Sequence, residues 1–133
     1  MRDPNNPCIF CNTSVNDFIF ENDLVFACFD SYPVSKFHTI IIPKRHTENY
    51  FNLNKDEILA CNDLILKMKN KIEIDDKLVL GFNIGINSGK VAGQSIFHCH
   101  IHLIPRRKGD VEIPQGGVRS VIPSKQHYVR KSK

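Results

Sequence analysis

No stretch of this 133-residue chain is apolar for long enough to cross a bilayer, and Met1-Arg2-Asp3-Pro4 begins no hydrophobic leader. Membrane insertion and secretion are therefore not expected, and a cytoplasmic location is. Cysteine is odd in number, at Cys8, Cys11, Cys28, Cys61 and Cys99, which does not suit a paired disulfide framework. Three of the five fall inside apolar patterns and read as small buried thiols of a reducing compartment. The chain has no internal repeat and no low-complexity tract, and only one convincing amphipathic helix. A parallel α/β sheet needs more crossover helices than that. Nor does any aromatic-rich strand interleave with basic residues, which makes a nucleic-acid-binding zinc module the weakest function class.

What is present fits one globular domain. Hydrophobic residues make up 41% of the chain and charged residues 24%, and a chain of this length hides about two-thirds of its unfolded surface on folding. Residues 8–107 read as the core of a single domain covering 1–133. Residues 108–133 form an irregular arm of Pro, Gly and basic residues without amphipathic period. The net charge of +4 is concentrated: Lys44 and Arg45, then Arg106, Arg107 and Lys108, then Arg119, Lys125, Arg130, Lys131 and Lys133. That distribution favours an anionic partner such as a nucleotide or polyphosphate, although the last few residues read equally as a solvated tail.

Residues 18–20 and 24–29 are β-rich runs around an Asn22-Asp23 turn. A β-branched run at 39–42 stops at Pro43. A helix follows, with Asn54 as N-cap, Glu57 completing a capping box, and Ile58, Cys61, Ile65, Met68 and Ile72 as its apolar stripe. Residues 78–87 read as a strand with bends at Gly81 and Gly85, and residues 88–93 as a turn-rich loop. Residues 97–104, F-H-C-H-I-H-L-I, supply the fifth strand. The expected fold is therefore α+β: a mainly antiparallel five-stranded sheet, one main helix and an irregular C-terminal arm.

The last of these strands carries the chemistry. Alternation along a strand sets His98, His100 and His102 on one face, with neighbouring rings roughly 7 Å apart, and Cys99, Ile101 and Leu103 on the other. An imidazole with a pKa near ~6.5 is largely neutral at pH 7 and free to attack phosphorus. His100, the middle ring, is the candidate nucleophile for a phosphohistidine intermediate. His102 is the candidate phosphate ligand or proton donor. The preceding loop, Asn87 through Gly93, Gln94 and Ser95, offers backbone N–H groups, an amide and hydroxyls as a phosphate cradle. Asp30 could bind a ribose or cap a turn. Phe20 and Phe29 read as core or as walls of a base pocket, His38 as a structural histidine, and His127 as part of the basic tail.

Cys8-x-x-Cys11 has the spacing of a tetrahedral metal site, and no second such pair exists to complete it. The remaining ligands would be histidines, with His46 and His98 as candidates. The alternative is an unliganded or redox-active pair.

These blocks together resemble the histidine triad superfamily of nucleotide hydrolases and transferases. His98-Cys99-His100-Ile101-His102-Leu103-Ile104 fills its H-φ-H-φ-H-φ-φ motif, with Cys99 an unusual φ. Cys8-Ile9-Phe10-Cys11, Phe20-Glu21-Asn22-Asp23, His38-Thr39-Ile40-Ile41-Ile42-Pro43-Lys44 and Gly93-Gln94-Ser95 follow in the family's order. Gly116-Gly117-Val118-Arg119 looks like the arm of a bacterial subgroup. The resemblance implies a homodimer, each half bearing a site for a nucleotide, with a purine nucleotide or dinucleoside polyphosphate such as diadenosine polyphosphate as substrate. It implies His100 as nucleophile on an α-phosphate, with His102 and His98 beside it. Asn87, Gly93, Gln94 and Ser95 fall at the phosphate, Asp30 at the ribose, and Ile19, Phe20 and Phe29 near the base. It further implies a structural zinc ion on Cys8, Cys11, His46 and His98. Two departures stand out. Phe37 replaces a Gly that many relatives carry before the His38 position. The Trp-containing C-terminal segment of the phosphoramidate-cleaving branch has no counterpart, which leans the reading toward dinucleoside polyphosphates.

Two other classes compete. A metallohydrolase using the histidine row as zinc ligands lacks an evident Glu or Asp base nearby. A non-catalytic nucleotide-binding or sensing protein would keep the site without the turnover.

Overall fold

The computed structural model describes residues 5–131; the N-terminal start at 1–4 and the basic-tail positions 132 and 133 lie outside the described residues. Five strands form one sheet: β1 (Phe20–Glu21), β2 (Val25–Phe29), β3 (Thr39–Pro43), β4 (Val79–Gly85) and β5 (Ile101–Arg107), in the order β1-β2-β3-β5-β4. Every neighbouring pair is antiparallel. Among the described residues one long helix, α1 (Lys55–Asp75), crosses between β3 and β4. The arm after β5 contains two short 3₁₀ turns, Val118–Val121 and Pro123–Lys125. This is the α+β architecture expected from the sequence.

Strand alternation divides the sheet into two faces. Val25, Ala27, Ile41, Ile101 and Leu103 pack against Cys61, Leu64, Met68 and Ile72 of α1. Phe26, Cys28, Ile40 and Ile42 form a second apolar layer on the opposite face, with Phe10 and Phe18 packed onto it. The functional side chains lie on this second face.

The capping box forms as the sequence demanded. The Asn54 side chain accepts from the Glu57 N–H (2.9 Å), and Glu57 Oε1 accepts from the Asn54 N–H (3.0 Å). The stripe is rotated from the expected one, however: α1 buries Glu57, Cys61, Leu64, Met68 and Ile72, whereas Ile58 stays 37% exposed. The sequence is apolar at both 64 and 65, so periodicity alone does not choose between them. A bidentate fork chooses: Arg45 Nε and Nη2 donate to Glu57 Oε2 (2.9 Å) and Oε1 (2.7 Å), and this turns Glu57 inward. The Arg45 guanidinium holds the Glu57 carboxyl below its ordinary value.

The turn before β3 keeps a left-handed residue although it lacks the usual glycine. Phe37 has φ 71°, a conformation that costs a residue with a Cβ roughly 1–2 kcal/mol. Its ring packs against the helix-side core and lies 5.6 Å from Phe29, and that burial offsets the strain.

The histidine segment departs most from expectation. The β5 ladder begins at Ile101, so of the three triad histidines only His102 is a strand residue. The β3–β5 register pairs Ile41 with Ile101, and its continuation would set Cys99 opposite Pro43. Proline has no N–H to donate, so the ladder ends. The chain turns outward instead: the Cys99 N–H donates to the Thr47 carbonyl (2.7 Å).

Candidate active site

The outward turn splits the histidine row. His98 is fully buried, and its Nε2–H donates to the Pro43 carbonyl at 2.7 Å. That bond fixes the tautomer and leaves a lone pair on Nδ1. The lone pair faces Cys8 Sγ (3.4 Å), Cys11 Sγ (3.5 Å) and His46 Nδ1 (3.2 Å), with Cys11 Sγ 3.3 Å from His46 Nδ1. All four donor atoms lie within 4.8 Å of one another. A tetrahedral zinc ion with bonds of about 2.0–2.1 Å to nitrogen and 2.3 Å to sulfur needs donor separations of roughly 3.3–3.8 Å. The donor set therefore fits such an ion. The expectation that three imidazoles share one cleft is corrected for His98, which belongs to this cluster and not beside a reacting group.

His100 and His102 remain together, with ring centroids 5.1 Å apart. The His100 Nδ1–H donates to the His98 carbonyl at 2.9 Å, which leaves the His100 Nε2 lone pair free for attack on an electrophile. A carbonyl at Nδ1 also stabilises the positive ring that such an attack creates. His38 joins them, and the sequence reading missed it. The Val34 N–H donates to His38 Nδ1 (3.1 Å), so the His38 proton sits on Nε2, which donates to His102 Nδ1 at 2.9 Å and lies 3.4 Å from Asp30 Oδ2. The His102 proton is thereby placed on Nε2, as a hydrogen-bond donor. Asp30, His38 and His102 also cluster closely enough for a cation. The proton on His38 Nε2 makes them a hydrogen-bond chain instead.

Burial, reinforced by the neighbouring His100 and His38, pushes His102 down to about 4, with Asp30 opposing. Burial also lowers His38. The unfolded chain binds a proton at His102 near 6.5, whereas the folded chain resists until about 4. Stability should therefore be full above pH 6.5 and fall as pH drops through this window, by up to roughly 3 kcal/mol. Thermal melts of the protein and of His102→Asn at pH 7.5, 6, 5 and 4 measure this, with a shallower fall expected in the variant.

Two hollows lie near the pair, and only the larger is lined by one of its rings, His102. One, of about 450 Å³, is lined by Ile9, Phe10, Ser14, Cys28, Phe29 and Ile40 among others; the Phe10 ring touches His100, with centroids 4.9 Å apart. The other, of about 740 Å³, opens onto His102 between β4, β5 and the arm, where Ile84, Asn87, Ile104, Arg106 and Val118 contribute. Arg106 is tied there to Asp110 and Asn83. Gly116 lets the arm close on itself: at φ 82°, a Cβ on it would strike the Gln126 carbonyl oxygen.

The HIT domain family matches residues 13–109. The chain belongs to the HIT family. Among curated HIT-like relatives, it is 38% identical over 115 residues to an uncharacterized protein of Methanocaldococcus jannaschii, covering 83% of this chain and 87% of that one. It is 32% identical over 109 residues to the adenylylsulfatase HINT3 of Arabidopsis thaliana, covering 79% of this chain and 55% of the relative. Among solved HIT structures, a Zn-bound histidine triad family protein from Mycobacterium smegmatis superposes with a TM-score of 0.70 at 29% identity, covering 78% of each chain. A HIT family protein from Bacillus anthracis superposes with a TM-score of 0.72 at 28% identity, covering 96% of this chain and 83% of that one.

The remaining positions implied by HIT resemblance fall unevenly around the pair. Asp30, whose Oδ1 accepts from the Tyr32 N–H (2.8 Å), turns to His38, and Phe29 lines the smaller hollow. Ile19 and Phe20 do not reach it; they pack on the helix side of the sheet, because Phe20 pairs with Ala27, which faces α1. Ile9 and Phe10 line the hollow instead. Asn87 lines the larger cleft beside His102, and its side chain would lie 3.8 Å from a Cβ on Gly93. Gln94 is buried and fully engaged: Oε1 accepts from the Gly89 N–H (2.8 Å), and Nε2 donates to the Glu48 and Ile96 carbonyls. Its side chain clamps the loop, whose backbone and exposed Ser95 remain for a ligand.

Proposed function

We propose that this HIT protein cleaves the bond between a nucleoside monophosphate and a leaving group X through a nucleotidyl–His100 intermediate. The observation that carries this reading is the His100 tautomer: Nδ1–H is committed to the His98 carbonyl, so Nε2 meets the substrate as a lone pair. In the first step the Nε2 lone pair forms a bond to the α-phosphorus, the P–X bond breaks, and X leaves with the bonding electrons. In the second, water or another hydroxyl acceptor forms a bond to the same phosphorus, the P–N bond breaks with its electrons returning to His100 Nε2, and the proton of the attacking hydroxyl passes to solvent. His102 Nε2–H holds a non-bridging phosphate oxygen in both steps, and His38 holds His102 in the donor tautomer. The nucleoside occupies the smaller hollow and X the larger cleft, whose volume suits a second nucleoside.

His102 also bears on the nature of X. With its pKa pushed down to about 4, it is a poor proton donor at neutral pH. A phosphate leaves without a proton, whereas an amine needs one. That supports dinucleoside polyphosphates over phosphoramidates. Mass spectrometry of products from a panel of both substrate types, with and without inorganic phosphate, tests the assignment. Nucleoside monophosphate release from the polyphosphates is expected, and tight nucleotide binding without any product would instead make the protein a sensor.

We further propose zinc as the resident metal of Cys8, Cys11, His46 and His98. Four protein donors leave no open coordination position, so the ion would supply a cross-link and not a Lewis acid. A homodimer is the proposed assembly, because β4 is an edge strand carrying exposed Leu80 and Ile84.

A further inference from the structure

We propose that Phe10, between the two cysteine donors, is a positioning residue that aims the His100 ring, an inference that rests on the nucleotidyl-transfer reading above. One hydrogen bond from His100 Nδ1 to the His98 carbonyl fixes a point on the imidazole but not its plane. Rotation about that bond would swing Nε2 off the line of attack. Two ring contacts stop the rotation: His102 at 5.1 Å and 68°, and Phe10 at 4.9 Å and 69°. Phe10 also meets His98 edge-on at 6.0 Å. The same side chain packs onto the layer of Phe26, Cys28, Ile40 and Ile42 and lines the smaller hollow. No other described side chain both touches His100 in a ring contact and lines that hollow.

The backbone around Phe10 is set by the cysteine turn. The Cys11 N–H donates to Cys8 Sγ (3.3 Å), the Asn12 N–H to the Cys8 carbonyl (3.3 Å), and the Thr13 N–H to the Phe10 carbonyl (3.2 Å). The N-terminal knuckle therefore delivers one aromatic ring to the nucleophile, and its influence reaches beyond holding the fold together.

The test compares Phe10→Ala and Phe10→Tyr with the unaltered, metal-replete protein. In Phe10→Ala, kcat should fall about 10–100-fold, as expected when a reacting group is misplaced by about 1 Å, and binding of adenosine 5′-monophosphate should weaken. Phe10→Tyr keeps the ring and should recover most of both. The ¹⁵N signals of the His100 imidazole, read without any substrate, should show a single Nδ1–H tautomer in the protein and in Phe10→Tyr, and a mixture in Phe10→Ala. Metal content is measured alongside, and retention of one metal ion per chain in Phe10→Ala supports a local role. An unchanged His100 spectrum with kcat within two-fold would overturn the inference, as would a loss of metal that alone accounts for the fall. If the unaltered protein turns over no nucleotide, the functional reading fails, and the imidazole spectra still decide for or against Phe10.

Discussion

His100→Ala should lower kcat/KM for nucleotide cleavage by about 10⁴-fold or more, because no neighbour can take over the attack. His102 cannot: its Nδ1 is occupied by His38, and its Nε2 carries the proton. His98 cannot either, since it is fully buried with one nitrogen on the Pro43 carbonyl and the other among the Cys8, Cys11 and His46 donors. The fold should tolerate the change, because both core layers are built from other side chains. Steady-state turnover provides the magnitude. Mass spectrometry of acid-sensitive adducts after rapid quenching provides the mechanism, with a nucleotidyl adduct present in the unaltered protein and missing in the variant. Turnover that survives the substitution would remove His100 from the chemistry and leave a bound water as attacking group.

Removal of metal should produce the largest loss of stability. The four donors come from three separate parts of the chain: the N-terminal turn, the segment after β3 and the segment before β5. An ion that binds only the folded state adds RT ln(1 + [L]/Kd), about 4 kcal/mol when free metal is a thousand times Kd. For a domain of this size that corresponds to a fall in Tm of roughly 10–20 °C on exhaustive chelation. The chain should still fold, because two apolar layers pack the sheet and Phe10 is the one knuckle side chain that adds to either. Calorimetric scans with and without chelator, paired with elemental analysis of the purified protein, measure this. A Tm that does not move when zinc is added or withdrawn would make Cys8 and Cys11 an ordinary thiol pair. Cys8→Ser should reproduce most of the chelator effect.

The parts of this architecture legible in the sequence are those written in local spacing. Asn54 and Glu57 announce the helix start because a capping box needs only three residues of separation, and the two hydrogen bonds form as read. Cys8 and Cys11 announce a metal-type turn for the same reason. Features set by register or by distant partners were not legible. The buried face of α1 depended on Arg45, ten residues before the helix, choosing Leu64 over Ile65. The split of the histidine row depended on Pro43 arriving where Cys99 would have paired. His38 stands 64 positions from His102, so nothing local marks it. Strand alternation does set it on the side of Ile40, and Ile40 pairs with His102, but that register becomes visible only in the folded sheet.

The outermost strand carries a consequence for how the molecule behaves when diluted. β4 has a neighbour on one flank only, and Leu80 on it and Leu78 in the turn just before it are more than 70% exposed. A second copy meeting that flank would extend the sheet and shield both leucines. Heat resistance would then climb with the amount of protein in solution, and samples thinned far below the dissociation constant would present a sticky border open to unrelated chains.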